Sequence, residues 1–347
     1  MPGKERWMHE REARQEVRPR RTQGAAGGDC HVDRPLDGLR IGILGKGGAG
    51  KSTVTVLLAR ALRSRGYSVL VLDADASNVG LAGAFGVERE PEPVLRLFGG
   101  MVFSGGRVTC PVDDPRPLLG ASLSVDDLGP RYVARTDEGV ALLVAGKLTG
   151  LGPGAGCDGP IGKIARDLRI TGLGSPSVSL LDFKAGVEDS ARGVTTSLDW
   201  VLAVVDPTTA GIQVAIELAR TVREIQSGVP PAIRHLRRGD AVEMALRQFR
   251  DTRIREVLAV LNRVPNPATL GYLKDALAVE GVPIIGVFDE EPAIRDQWLR
   301  SQRIQSDRQE ENAGDLVQRL EILVDPAPRC PDPPAEPAGR LQGHSRV

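Results

Sequence analysis

Short, unbroken apolar runs recur along the chain, separated by segments of helical spacing. The runs are 39–44 (LRIGIL), 68–72 (SVLVL), 141–145 (ALLVA), 178–181 (VSLL), 200–205 (WVLAVV), 257–261 (VLAVL) and 282–287 (VPIIGV). Each has the length of a strand, and the lack of polar alternation means that both faces are buried. Between them, 52–65, 212–225 and 267–279 carry the spacing of helices, and the first stops before Gly66. Buried strands alternating with helices predict an α/β fold: a mostly parallel sheet with helices on both faces.

Two stretches break the alternation. Residues 98–136 carry Gly-Gly, Pro and Asp clusters and leave room for a small hairpin. Residues 228–252 read as an insertion with one amphipathic helix; His235 sits there beside Arg234, Arg237 and Arg238. That cluster reads as a solvated basic loop or as a surface where a partner docks. The domain is expected over 38–325. Residues 1–37 mix charges of both signs, including Arg18, Arg20 and Arg21, and read as a disordered extension or a frayed helix. Residues 326–347 are Pro-rich and are expected not to pack.

Composition then narrows the function. The 347 residues carry a formal net charge of +0, so nothing global favours nucleic acid or an anionic membrane. No run approaches the roughly 18–20 apolar residues of a membrane span, and the first residues hold no apolar leader segment. The four cysteines, Cys30, Cys110, Cys157 and Cys330, form no closely spaced pair. That spacing speaks against a disulfide scaffold or a zinc knuckle. A reducing cytoplasm is the expected compartment.

The chemistry concentrates after the first strand. Gly45-x4-Gly50-Lys51-Ser52 follows an apolar run and opens a helix, which is the setting of a phosphate-binding loop. Gly47, Gly48, Ala49 and Gly50 let backbone N–H groups turn towards phosphate oxygens. The helix start aims free N–H groups and a positive dipole end at the same anion. Lys51 would lie on the β and γ phosphates. The Ser52 hydroxyl would reach Mg²⁺, and Thr53 the α-phosphate. Two acidic strand ends follow, Asp73-Ala74-Asp75 and Asp182-Phe183-Lys184, where open α/β sheets place ligands.

Lys46, a second lysine early in the loop, gives the form Lys-Gly-Gly-x-Gly-Lys-Ser. This resembles the deviant Walker A ATPases, which include the MinD- and ParA-like spatial ATPases, nitrogenase iron protein and metal-assembly ATPases. The resemblance implies an ATP-binding, Mg²⁺-dependent ATPase that forms a homodimer in the ATP state. Lys46 would then reach across the dimer to the partner's phosphates, in the manner of an arginine finger supplied in trans. It also implies that Asp75 orients or activates the attacking water and that Asp73 supports Mg²⁺ or the loop. Asp182 would lie near the Mg²⁺ waters, Gly186 would sense the γ-phosphate and Asn262 would meet the adenine.

Within that family, three segments resemble the CooC-type ATPases that help insert nickel into carbon monoxide dehydrogenase. They are 142–147 (LLVAGK), 156–160 (GCDGP) and 182–193 (DFKAGVEDSARG), and Ala185, Gly186, Glu188, Arg192 and Gly193 are the most telling positions. The resemblance covers about 39–305 and implies a maturation or metal-insertion factor with a metalloenzyme client. Those ATPases carry a Cys-x-Cys pair that forms a metal site at the dimer interface. Here Cys157 matches the first cysteine and Gly159 stands at the second. Two Cys157 thiolates, with Asp158, would offer a sparse site for Ni²⁺ or Zn²⁺. The alternative is a spatial or regulatory ATPase of the MinD/ParA type acting through protein partners.

Overall fold

The computed structural model describes residues 34–102, 106–148, 157–229 and 239–324. Cys30, Cys330, the Arg18–Arg20–Arg21 cluster and the basic group around His235 therefore lie outside the described residues, as does most of both tails.

Among the described residues, ten strands and ten α-helices follow in chain order. The first half holds β1 (Leu39–Gly45), α1 (Lys51–Ser64), β2 (Ser68–Ala74), α2 (Leu81–Ala84), β3 (Ser122–Ser124), α3 (Val125–Tyr132), β4 (Ala134–Arg135) and β5 (Ala141–Val144). Then come α4 (Gly159–Asp167), β6 (Arg169–Thr171), β7 (Ser177–Phe183), α5 (Glu188–Ala191), β8 (Trp200–Val205), α6 (Thr209–Gln226) and α7 (Gly239–Arg250). The last described elements are β9 (Glu256–Val264), α8 (Pro267–Val279), β10 (Ile284–Asp289), α9 (Pro292–Leu299) and α10 (Asp307–Val324).

Eight strands form one sheet in the order β10-β9-β8-β1-β7-β2-β5-β4. Every pairing is parallel except β4 with β5 at the edge. The side chains of each strand alternate between two cores. Ile41 and Ile43 join Val69, Val71, Leu180 and Leu202 beneath α1 and α10. Leu70, Leu72, Leu181, Val201 and Ala203 pack on the opposite face beneath α4, α6 and α8. Both faces are thus covered, which is why the strands read as continuous apolar runs.

The two irregular stretches resolve differently. Residues 98–136 contain one strand of a small hairpin, since β4 pairs antiparallel with β5, Ala134 opposite Leu142 and Arg135 opposite Ala141, whereas β3 pairs in parallel with β6 from a distant segment, Ser122 opposite Arg169 and Ser124 opposite Thr171. The amphipathic helix of the 228–252 insertion is α7, which buries Ala245 and Phe249.

Order within the sheet positions the site. β1, β7 and β2 are neighbours, and Asp73 and Asp182 stand in register across β2 and β7. The loop that follows β1 therefore meets two acidic strand ends at the C-terminal edge of the sheet.

Candidate nucleotide site

Gly50 caps α1 in the left-handed region, at φ 94°. A β-carbon there would fall 2.1 Å from Asn262 Nδ2, so only glycine fits both the turn and its neighbour. Asn262 donates that amide to the Ala49 carbonyl at 2.7 Å. Arg263, at the same strand end, donates to the Gly48 carbonyl at 2.8 Å. The end of β9 thus clamps the loop from outside. Asn262 also lines a cleft with Thr53, Arg263, Phe288 and Trp298.

Lys51, the first residue of α1, is 7% exposed. Its ammonium donates to the Lys46 carbonyl at 3.3 Å, across the loop. Burial lowers its pKa, and the charges of Asp182 and Asp75 act against that fall. The Ser52 hydroxyl donates to Asp182 Oδ2 at 2.7 Å and accepts from Asn78 Nδ2 at 2.9 Å.

Asp182 is buried at the end of β7. Burial, then the neighbouring Asp73 charge, pushes its pKa up to about 7. Its Oδ1 is buried and has no hydrogen-bond partner. A buried carboxylate oxygen left bare beside a serine hydroxyl suits a hard divalent cation, which takes oxygen ligands. These residues fit Mg²⁺.

The two aspartates at the end of β2 sit in different surroundings. Asp73 accepts from the Lys147 ammonium at 2.7 Å and from the Asp75 N–H at 3.1 Å. Both of its oxygens are thus engaged within the chain. Burial still lifts its pKa to about 6, against the pull of Lys147. Asp75 accepts three hydrogen bonds on Oδ1, from Ser77 N, Ser77 Oγ and Asn78 N, at 2.8–3.0 Å. Burial alone would raise its pKa, but these bonds win and hold it below the usual carboxylate value. Asp75 is therefore a positioned anion at neutral pH.

Other expected contacts are engaged within the chain. Lys46 Nζ lies 2.9 Å from Asp206 Oδ2 at the end of β8. The Gly186 N–H donates to the Gly45 carbonyl at 3.1 Å. Thr53 Oγ1 accepts the Trp298 indole N–H at 2.8 Å.

Cys157 is exposed, just ahead of α4. Asp158 beside it accepts from Lys184 Nζ at 2.7 Å and Arg192 Nη1 at 2.8 Å. Lys184 and Arg192 belong to the segment that leaves β7 after Asp182, so the cysteine segment is tied to the nucleotide end of the sheet. Sequence reasoning missed Lys147 as the brace of Asp73, Asp206 as the partner of Lys46, and Trp298. Cys110, which no spacing pairs with another cysteine in the sequence, packs its sulfur against Gly159.

Comparisons with known proteins agree with this geometry. The family model for the CobQ/CobB/MinD/ParA nucleotide binding domain matches residues 43–304. The chain is 33% identical over 189 residues to an uncharacterized ATP-binding protein of Methanocaldococcus jannaschii, covering 54% of this chain and 73% of that one. It is 30% identical over 188 residues to the carbon monoxide dehydrogenase accessory protein CooC of Rhodospirillum rubrum, covering 54% and 70%. Among solved structures, the septum site-determining protein MinD of Pyrococcus horikoshii, complexed with Mg-ADP, superposes with a TM-score of 0.52. It is 18% identical, with 83% of this chain and 97% of that one covered, and it speaks for the fold alone. Loop, acidic strand ends, strand order and family match converge: the chain belongs to the CobQ/CobB/MinD/ParA family of P-loop nucleotide-binding domains.

Proposed function

We propose that the chain binds and hydrolyses ATP with Mg²⁺, closes into a homodimer around the nucleotide, and serves as a maturation factor that handles metal for a client metalloenzyme. The observation that carries the reading is Asp158. Its carboxylate grips Lys184 and Arg192 of the segment following Asp182, while its neighbour is the exposed Cys157. A change at the γ-phosphate end of the site would therefore be felt at a thiol. The resemblance to the CooC accessory protein supports the same reading, as does a 35% identity over 96 residues to a cytosolic Fe-S cluster assembly factor of Eremothecium gossypii.

In hydrolysis, water attacks the γ-phosphorus, the β–γ bridging P–O bond breaks, and ADP, phosphate and a proton leave. Phosphoryl transfer asks mainly for positioning and charge stabilisation. Lys51 neutralises charge on the β and γ oxygens. Asp75, held ionised, orients the water and accepts its hydrogen bond. Lys46 leaves Asp206 to reach the partner's phosphates, and Gly186 N–H leaves the Gly45 carbonyl to meet the γ-phosphate. Ser52 and Asp182 would hold Mg²⁺, which would supply positive charge to offset that of the phosphates.

The test is phosphate release from Mg-ATP by the full chain, with Lys51→Ala and Asp75→Ala beside it, and sedimentation of the Asp75→Ala protein with and without ATP. Turnover should vanish in both variants, and ATP should dimerise Asp75→Ala. Undiminished turnover in Lys51→Ala overturns the mechanism. The MinD/ParA-like alternative, a regulatory ATPase without metal, is favoured instead if ATP turns over normally while Ni²⁺ and Zn²⁺ are bound no better than by Cys157→Ala.

A further inference from the structure

Gly159 opens α4 two residues after Cys157, and it has no room for a side chain. A β-carbon placed on it would lie 2.5 Å from Cys110 Sγ and 2.6 Å from Cys110 Cβ. The volume where a side chain of residue 159 would begin is filled by the thiol of residue 110. The approach is built rather than incidental, because the segment after Cys110 is laced to α4. Lys163 Nζ donates to the Asp114 carbonyl at 2.9 Å, and its charge meets the Asp114 carboxylate at 3.4 Å. The Arg166 guanidinium donates to the carbonyls of Pro115 and Arg116. Asp167 Oδ2 accepts the Leu118 N–H at 2.9 Å. The Asp113 and Asp114 N–H groups both donate to the Cys110 carbonyl, which fixes the turn that carries the thiol.

Two cysteines far apart in sequence thus converge at the start of one helix. A soft cation placed between the two thiols would be held by both as thiolates. Asp158 does not compete for that cation, since both of its oxygens are held by Lys184 and Arg192.

We propose that Cys110 and Cys157 form a two-thiolate half-site for a soft, thiophilic cation, with two chains together supplying four sulfur ligands. Four thiolates match the closed coordination that Zn²⁺ takes in sulfur sites. The inference rests on the metal-handling reading and names its ligands. The thiol expected from the family pattern at position 159 is supplied from position 110 instead. Binding displaces one proton from each thiol that is still protonated, and two sulfur–metal bonds form per chain.

Zn²⁺ is the probe. The full chain, reduced and anaerobic, carries Cys30→Ser and Cys330→Ser so that only the two thiols in question remain. Zinc is titrated against a chromophoric chelator for this parent, for Cys110→Ser and for Cys157→Ser, with ATP turnover of the parent measured alongside. The expected result is one Zn²⁺ per two chains, with each single substitution costing more than the roughly tenfold that loss of a supporting hydrogen bond costs at a metal site. In the parent itself, zinc should protect both thiols from iodoacetamide, mapped by mass spectrometry, which holds even if a variant folds poorly. If Cys110→Ser binds zinc as the parent does, or Cys110 is alkylated at the same rate with and without zinc, the half-site is wrong while a Cys157-only cargo site survives. One zinc per chain overturns the pairing of half-sites. A parent that turns over ATP but binds no zinc overturns both the half-site and the metal-handling reading, leaving the ATPase intact.

Discussion

Lys46 Nζ and Asp206 Oδ2 lie 2.9 Å apart within one chain, joining the phosphate-binding loop to the end of β8. The lysine expected to serve a partner is held at home by a carboxylate. The lysine side chain is 29% exposed and the carboxylate 10%, so the pair is partly buried, and a phosphate that takes the lysine has to displace the carboxylate. Lys46→Ala should leave ATP binding near normal yet lower turnover on the order of 10³-fold, the size of effect seen when a trans cation is removed. Asp206→Asn should act the other way and strengthen ATP-driven dimerisation a few-fold. Turnover assays and sedimentation read the two effects separately.

Gly50→Ala should cost stability and binding together. The left-handed backbone strains any side chain, at roughly 1–3 kcal/mol, and the added carbon meets Asn262 Nδ2 at 2.1 Å. Melting should fall by several degrees, and equilibrium dialysis should find no ATP bound.

Trp298 offers a built-in reporter. Its indole N–H is bonded to Thr53 Oγ1, the hydroxyl expected to meet the α-phosphate. ATP and ADP should both shift the tryptophan emission, because both carry that phosphate. Trp298→Phe should abolish the shift without abolishing binding. An unchanged shift in that variant would place the signal elsewhere.

Asp114 makes the stability of the 110–118 segment pH-dependent. The Arg116 hydrogen bond outweighs burial and, with Lys163, lowers its pKa to about 2, from an ordinary 3.8. A carboxyl depressed in the folded state stabilises fully above its unfolded value and loses that contribution as pH falls through the folded one. Asp114→Asn should therefore melt lower than the parent at pH 7, with the gap closing between about 4 and 2. A gap that persists at pH 2 would mean that the carboxylate charge is not what stabilises the segment.

Much of this molecule was legible because its information is local. The central strands are buried on both faces, so each announces itself as an apolar run, and the phosphate-binding loop occupies consecutive positions. What escaped depends on contacts between distant segments. The pairing of β3 with β6 has no turn signal because no turn joins them. α10 is rich in charge, and its buried Ala313, Leu316, Val317 and Leu320 become a stripe only once a sheet is there to receive them. Lys147, Asp206 and Trp298 are ordinary residues in sequence and acquire roles by landing beside Asp73, Lys46 and Thr53. The nearness of Cys110 to position 159 likewise exists only in the fold.

The crowding between Cys110 and Gly159 sets a rule of mutual exclusion for descent. One pocket admits one sulfur, so a lineage can draw it from either segment but not from both at once. Passing from one arrangement to the other requires the incumbent to shrink before its replacement grows. Relatives of this chain should therefore fall into two camps at these positions, a cysteine at 110 facing a glycine at 159, or a small residue at 110 facing a cysteine at 159, with few bearing both.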